Sequence, residues 1–289
     1  MIPILLLFSI SSTPFSCRGF FSLFISYQRL DELNQRKPKD SKALTNTATN
    51  AKLLNLDGQH SMQKRRKSEL FDHWPEQYDQ WFTTPIGALV KGFENELILD
   101  LLSPSSEETI LDAGCGTGVF TLDILSFGTH VIGIDISLPM LLWAVQKSKG
   151  YAFQAVSADM SNLPFSDNAF DKAISVTALE FIKEGKRAVG ELFRVTKRGG
   201  TIVVATLNSL SPWAARRKAD AKKGHTLFTK AIFRSPDELL SLAPIEGTVK
   251  TAIHFEKGDD PDRAPEMELE GKRKALNTGA FLAARWAKP

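Results

Sequence analysis

Residues Ile110 to Phe120 read Ile-Leu-Asp-Ala-Gly-Cys-Gly-Thr-Gly-Val-Phe: a short apolar run, an acid, and glycines on three alternate positions ahead of a helix-like segment. Lacking Cβ atoms, Gly114, Gly116 and Gly118 let the backbone turn sharply and let a ligand come to contact distance. The apolar run reads as a buried strand, which places the turn at its carboxyl end, where open α/β sheets bind ligands. A strand, a glycine turn and a helix in this order point to an α/β sheet with a nucleotide-like ligand at its edge.

The rest of the chain alternates in keeping with that unit. Strands are expected at Thr109–Ala113, His130–Asp135, Tyr151–Val156, Lys172–Val176, Thr201–Thr206, Thr248–Phe255 and Gly279–Trp286. Helices are expected at Val119–Ser126, Pro139–Lys147, Gly185–Val195 and Pro236–Leu242, the last with Ser235 as N-cap and Pro236 at its first position. The alternation predicts an α/β fold: a Rossmann-like, doubly wound, seven-stranded and mostly parallel sheet with helices on both faces. No convincing helix joins the last two strands, which suits an antiparallel edge strand.

Ahead of this core, Phe71, Trp74, Tyr78, Trp81 and Phe82 fall at helical spacing. Pro85 opens a second helix, with Ile86, Leu89, Val90, Phe93, Leu97, Ile98 and Leu101 on one stripe that ends before Pro104. Residues 209–234 interrupt the later rhythm with Trp213, a basic cluster at Arg216, Arg217, Lys218, Lys222 and Lys223, and then Gly224-His225. By position they form an insertion after the fifth strand, on the side of the sheet that carries the glycine turn. The composition suits a substrate lid and a plain solvated helix equally.

The first 61 residues are of a different kind. They hold seven Lys/Arg against four Asp/Glu, so the +3 of the whole chain resides there and the remainder, with 29 of each, is neutral. Nothing in that balance attracts nucleic acid. Met1–Ile10 and Gly19–Tyr27 are apolar but fall short of a spanning helix, with Arg18 between them, and no Lys or Arg precedes the first run as a secretory signal would require. We read residues 1–61 as a disordered or dispensable extension ahead of a candidate start at Met62, with a membrane anchor or an export signal as the competing readings. The run Lys64-Arg65-Arg66-Lys67 reads as a solvated helix start. Two cysteines, Cys17 and Cys115, are too few for a disulfide framework or a zinc site, which suits a reducing, cytoplasmic setting with no metal and no stable membrane insertion. Cys115 reads as a small residue packed in the turn rather than a reactive thiol.

The charges around the turn narrow the ligand. Asp135, at the end of the second strand, could accept two vicinal ribose hydroxyls. A dinucleotide fold expects Gly-x-Gly-x-x-Gly with a helix N-terminus aimed at a pyrophosphate, whereas this chain has Gly-x-Gly-x-Gly two residues after Asp112. An acid there repels a pyrophosphate and favours a ligand bearing an ammonium and a sulfonium, which points to S-adenosylmethionine. After the third strand, Asp159 could accept the exocyclic amine of adenine with Met160 over the ring face; a turn-capping acid is the alternative at Asp159.

Taken together, Leu111 to Gly118, Gly133-Ile134-Asp135, Ala158-Asp159, Leu163-Pro164-Phe165, Phe170-Asp171 and Arg194-Val195-Thr196-Lys197-Arg198-Gly199-Gly200 resemble the class I S-adenosylmethionine-dependent methyltransferases. Within them the resemblance is to the subgroup related to ubiquinone and menaquinone biosynthesis and other small-molecule methyltransferases, and it runs from Phe71 to Trp286. It implies a methyltransferase domain over residues 62–289, with lid helices at 62–103 and the 209–234 insertion near the substrate. It also implies that Asp112, Gly114, Gly116 and Gly118 surround the methionine moiety, Asp135 and Ile136 the ribose, and Asp159 and Met160 the adenine. Thr177 would face the reacting methyl, and Tyr78 would close over the cofactor.

Ser175-Val176-Thr177-Ala178 lacks the Asn/Asp-Pro-Pro-Tyr/Phe signature of enzymes that methylate amino groups on nucleobases or glutamine, so a small-molecule acceptor and no nucleic acid is the expectation. Transfer by in-line displacement can rest on proximity and orientation. No general base is assigned, because the chemistry does not require one, and the carboxyl half shows no obvious His–carboxylate pair; His225 and His254 read as structural or surface residues. The readings that compete are a non-catalytic S-adenosylmethionine-binding scaffold or sensor, and a nicotinamide-dependent oxidoreductase, which Asp112 and the glycine spacing disfavour. The acceptor and the oligomeric state are not legible.

Overall fold

The structure, a computed structural model, describes residues 71–222 and 227–289. The extension, the candidate start at Met62, the basic run at Lys64–Lys67, and Lys223, Gly224 and His225 lie outside the described residues. In chain order the elements are α1 (Pro75–Trp81), α2 (Pro85–Leu102), β1 (Thr109–Ala113), α3 (Thr121–Leu125), β2 (His130–Asp135), α4 (Leu138–Lys147), β3 (Phe153–Ser157) and β4 (Phe170–Val176). There follow a 3-10 turn (Leu179–Phe181), α5 (Gly185–Val195), β5 (Thr196–Leu207), α6 (Pro212–Lys222), a second 3-10 turn (Leu227–Thr229), α7 (Pro236–Leu240), β6 (Thr248–Ala252), α8 (Ala264–Arg273) and β7 (Phe281–Ala287).

The seven strands form one sheet in the order β3-β2-β1-β4-β5-β7-β6. β1 to β5 are parallel, and β1 lies between β2 and β4, with Leu111 opposite Ile132 on one side and Ala173 on the other. β7 runs antiparallel to both β5 and β6, so the expected antiparallel pair closes that edge. The strand order reverses between β1 and β4, and the crevice at their carboxyl ends is where such sheets bind ligands.

Side-chain alternation along the strands sorts the interior into two layers. Ile110, Val131, Ile174 and Val203 pack with Val90, Leu97, Ile98 and Leu101 of α2 on one face. Leu111, Ile134, Ala173 and Val204 pack with Ala188, Val189 and Leu192 of α5 on the other. Both faces are covered, which explains why β1 reads as a nearly unbroken apolar run.

Two expectations need correction. A helix, α8, does join β6 to β7. Its buried positions are Ala264, Glu268 and Gly271, spaced as a helix face but carrying almost no apolar signal. Gly271 is small because a Cβ there would lie 2.2 Å from the His254 ring. β5 begins at Thr196, not Thr201, because Thr196 pairs with Phe170 across a register shift.

Candidate active site

β1 delivers the chain into the glycine turn, and the turn is pinned to β2. Gly114 N and Cys115 N both donate to Ile134 O, at 2.8 and 2.9 Å. The three glycines have φ of 80°, 54° and 77°, a region that costs an L residue about 1–2 kcal/mol. Their surroundings differ. A Cβ on Gly114 would lie 2.4 Å from Ala178 Cβ at the exit of β4, and one on Gly118 would lie 3.2 Å from Ala144 Cβ on α4, while nothing stands within 4 Å of Gly116.

The open space before Gly116 belongs to a cavity of about 650 Å³, within the usual size of small-molecule sites. Nine of the ten residues singled out in the sequence line it: Tyr78, Asp112, Gly114, Gly116, Asp135, Ile136, Asp159, Met160 and Thr177. Gly118 is the exception. Its lack of a side chain serves the packing of α4 against the turn.

Burial dominates the electrostatics of the wall. Asp112 is 3% exposed, and its carboxyl is pushed up to about 6 by desolvation, against the lowering effect of a 2.6 Å hydrogen bond donated by Thr121 Oγ1. Asp135 is raised by burial as well, with backbone hydrogen bonds opposing. Its Oδ2 accepts Gly116 N at 2.9 Å and its Oδ1 accepts Ser137 N at 2.8 Å, so one side chain ties the glycine turn to the start of α4. Each oxygen keeps a further lone pair for a ligand hydroxyl. Asp159 Oδ1 accepts Ser161 N at 2.8 Å, the turn-capping role, while the residue also lines the cavity. Met160 lies 4% exposed beneath it, with Ser175 Oγ donating to its sulfur.

The amino-terminal aromatic segment closes the opposite side. Ser137 Oγ donates to Asp72 Oδ1 at 2.7 Å. Asp79 accepts from Thr117 Oγ1 of the glycine turn at 2.6 Å and from Lys147 Nζ of α4 at 2.7 Å. These contacts hold Tyr78 in the wall, where burial first and Glu94 second raise its phenol far above the usual range and the Thr177 side chain hydrogen-bonds it. Thr177 itself has φ 48°, a strained value for a β-branched residue, held by a 2.9 Å bond from its N–H to Ala205 O.

Known proteins share the span that carries this geometry. A family described as "Methyltransferase domain" matches residues 111–204, the span from β1 through most of β5. Over that span the chain is similar to a methyltransferase domain. Among relatives, it is 33% identical over 144 residues to a malonyl-[acyl-carrier protein] O-methyltransferase of Buchnera aphidicola, covering 50% of this chain and 55% of that one. It is 35% identical over 109 residues to a demethylmenaquinone methyltransferase of Renibacterium salmoninarum, covering 38% of this chain and 45% of that one. The chain thus spans about half the length of the curated relatives it matches. Among solved structures, an S-adenosylmethionine-dependent methyltransferase of Thermotoga maritima, described as a possible histamine N-methyltransferase, shares the fold at TM-score 0.58 and 23% identity. That match covers 76% of this chain and 99% of the other.

The remaining motif residues of this methyltransferase domain work on its framework. Arg194 donates to Leu163 O, Phe165 O, Glu191 and Asp167, fixing the Leu163-Pro164-Phe165 loop to α5. Asp171 accepts Thr109 N at 2.9 Å and Lys197 Nζ at 2.6 Å, locking the start of β1 to β4. Cys115 is a free thiol raised well above its ordinary value by burial, and its sulfur fills the space where a Cβ on Gly133 would stand, 2.8 Å away.

His254, which the sequence left without a carboxylate, has one: Nδ1 lies 3.0 Å from Glu268 Oε2, with both side chains almost fully buried. The pair ties β6 to α8 and is not part of the cavity wall. Sequence reasoning also missed lining residues with no motif, including Phe71, Phe181, Thr229, Lys230 and Ile232. The last three come from the 209–234 insertion. Their only signal was that the insertion follows a strand whose carboxyl end faces the turn. Among the described residues there is no cluster of His, Cys, Asp and Glu able to hold a metal, and no helix long and apolar enough to cross a membrane.

Proposed function

We propose that this protein binds S-adenosylmethionine in the 650 Å³ cavity and transfers its methyl group to a small-molecule acceptor. The observation that carries the reading is the pairing of an open glycine, Gly116, with two acids, the buried Asp112 and the half-buried Asp135, at the carboxyl ends of adjacent strands. A space that a Cβ would fill, beside carboxyls whose ionisation burial disfavours, fits a ligand that brings a cation and hydroxyl donors. The match of residues 111–204 to a methyltransferase domain supports the same ligand.

When bound, S-adenosylmethionine supplies an electrophilic methyl group on a sulfonium centre. In this reading Asp112 faces the ammonium end and Gly114 and Gly116 give it room. Asp135 takes the ribose hydroxyls with Ile136 beside it, and Asp159 and Met160 hold the adenine. Thr177 and Tyr78 mark the end where the acceptor meets the methyl, and the segment latched by Asp72 and Asp79 excludes water. Proximity and alignment supply the rate enhancement, worth up to about 7–11 kcal/mol in well-oriented systems.

The methyltransferase domain is taken to span 62–289, with the lid at its amino end and the insertion flanking the acceptor. The free thiol of Cys115 supports a reducing, cytoplasmic setting. Calorimetric titration of the full chain with S-adenosylhomocysteine and, separately, with NADH tests the ligand: binding of the first and no heat from the second is expected, and the reverse overturns the proposal. Release of S-adenosylhomocysteine from S-adenosylmethionine in the presence of a metabolite extract separates an enzyme from a binding scaffold.

A further inference from the structure

The cavity has a charge polarity that follows the order of the strands. Its lining carboxyls, Asp112, Asp135 and Asp159, stand at or just past the carboxyl ends of β1, β2 and β3. The stretch after β4 and the end of the insertion contribute two lysines to the same lining, Lys183 and Lys230, and no acid. Adjacent strands lie about 4.8 Å apart, so from β3 to β4 in the order β3-β2-β1-β4 the lining crosses about 14 Å.

The lysine end is a built wall. Ile232 N donates to Glu180 O at 2.8 Å, which lays the insertion against the 3-10 turn that follows β4. Arg234, 6% exposed, clamps the two: Nη1 donates to Leu179 O at 3.0 Å and to Ile232 O at 3.3 Å, and Nη2 donates to Ile182 O at 3.4 Å. Lys183 directly follows Ile182, and Lys230 stands two residues before Ile232, so the clamp fixes the backbone from which both lysines reach the cavity. The lining beside them is apolar. Phe181 meets Phe71 edge to face at 4.8 Å, and Ile232 is 37% exposed.

Neither lysine is neutralised by the fold. Both are exposed, which puts them at the mouth of the cavity, and among the described residues neither has an ion-pair partner. Glu184, the next residue after Lys183, pairs with Arg187 instead, at 3.5 Å. The basic side chains of α6 are spent elsewhere: Arg216 and Arg217 lie over the Trp213 ring, Lys218 lies over Phe233, and none of the three lines the cavity.

On the reading that this protein transfers a methyl group, we propose that the acceptor has an apolar body that lies against Phe71, Phe181 and Ile232 and an anionic group, carboxylate or phosphate, that is held by Lys183 and Lys230. An exposed isoleucine beside an aromatic pair gains from covering by apolar surface. Two lysines at one opening repel a cationic acceptor and attract an anionic one. A lysine is a point charge with rotatable donors, so it admits carboxylate and phosphate alike. The acids on the far side of the cavity repel the same anion, which keeps it at the mouth and points the other end of the acceptor toward Thr177 and Tyr78.

The test uses the full chain saturated with S-adenosylhomocysteine, titrated with phenylacetate, phenyl phosphate, 2-phenylethanol and phenethylamine and followed by ligand-detected NMR. At least one of the two anions should bind about fivefold more tightly than 2-phenylethanol, as an exposed ion pair allows, and phenethylamine should bind most weakly. The tighter of the two anions names the group. Raising the ionic strength from about 0.05 M to about 0.5 M should shrink the preference below about twofold. Lys183→Met and Lys230→Met should each weaken the anion about two- to threefold, and the double variant should erase the preference while 2-phenylethanol binding, which reports on the apolar wall, stays as it was. No anion preference in the wild type, or one that survives in the double variant, would overturn the proposal. So would a fall in S-adenosylhomocysteine affinity in the variants, which would give the lysines to that ligand's own carboxylate. Failure of the wild-type chain to bind S-adenosylhomocysteine would sink the methyl-transfer reading instead, and the same series on the empty chain still measures the anion preference.

Discussion

Asp112→Asn should make the ligand-free protein relatively more stable as pH rises, while weakening the site. Burial moves the Asp112 carboxyl from 3.8 to about 6 in the folded chain. That rise corresponds to about 3 kcal/mol. The sign follows from which state ionises first. Below the unfolded value both states are protonated and Asp112 costs nothing. Between the two values the unfolded chain ionises while the folded one resists, and stability falls until the pH passes about 6, beyond which the full cost is present.

Asparagine does not titrate, so the stability of the variant minus that of the wild type should climb by about 3 kcal/mol across the whole range, about half of it between pH 5 and 7. The new amide, buried with too few acceptors, adds a pH-independent penalty of about 1–3 kcal/mol, so the slope and not the absolute value carries the test. Urea denaturation of both proteins at several pH values in that window measures it, provided the m-values agree. With S-adenosylhomocysteine present the wild type should regain more stability than the variant, because only the carboxylate can pair with the ligand ammonium. A stability difference that stays flat from pH 5 to 7 would refute the claim that Asp112 is an ionised acid held against its desolvation cost.

Two further changes probe the frame. Gly114→Ala places a Cβ 2.4 Å from Ala178 and should cost well beyond the about 1–2 kcal/mol of its positive φ. Gly116→Ala meets nothing within 4 Å and should cost only the backbone strain while reducing ligand affinity; equal destabilisation of the two in thermal melts would contradict the geometry. For His254, desolvation lowers the pKa and is outweighed by the Glu268 hydrogen bond and charge, leaving it above 6.5 in the folded chain. Its contribution is therefore full below 6.5 and lost as pH rises through the higher folded value. Glu268→Gln should abolish that loss, seen as a flatter urea midpoint above neutrality.

What could be read from the sequence follows from how each feature makes its signal. β1, β2 and β4 announce themselves because both faces of a parallel sheet are covered, which demands consecutive apolar residues. Asp112, Asp135 and Asp159 stand out because each sits where such a run ends. Helix α8 was invisible because its inner face is Ala264, Glu268 and Gly271, and what seats it is a histidine from another element. Gly118 looked like its two neighbours because φ alone does not tell a glycine that faces a ligand from one that faces a helix. Lys183 and Lys230 come from the β4 exit and the insertion, and only the folded chain sets both on one cavity.

Two groups of charged side chains with buried, unpartnered atoms lie off the cavity wall, around Glu268 and around Glu180. Glu268 receives both the backbone N–H and the ring of His254 on Oε2, at 2.8 and 3.0 Å, and Lys272 stands 3.8 Å from Oε1. That pair joins α8 to the sheet, and Oε1 is still a buried atom without a hydrogen-bond partner. Glu180 Oε2 and Arg217 Nη1 are likewise buried without hydrogen-bond partners, and Glu94 is pushed up to about 8 by desolvation. A fold gains nothing in stability from that arrangement, since an unpaired buried polar group costs about 1–3 kcal/mol and an apolar replacement would remove the cost. Asp112 carries a similar penalty on the other side of the cavity. Of these groups only Asp112 lines the 650 Å³ space, and a ligand that brings a cation there would offset its cost.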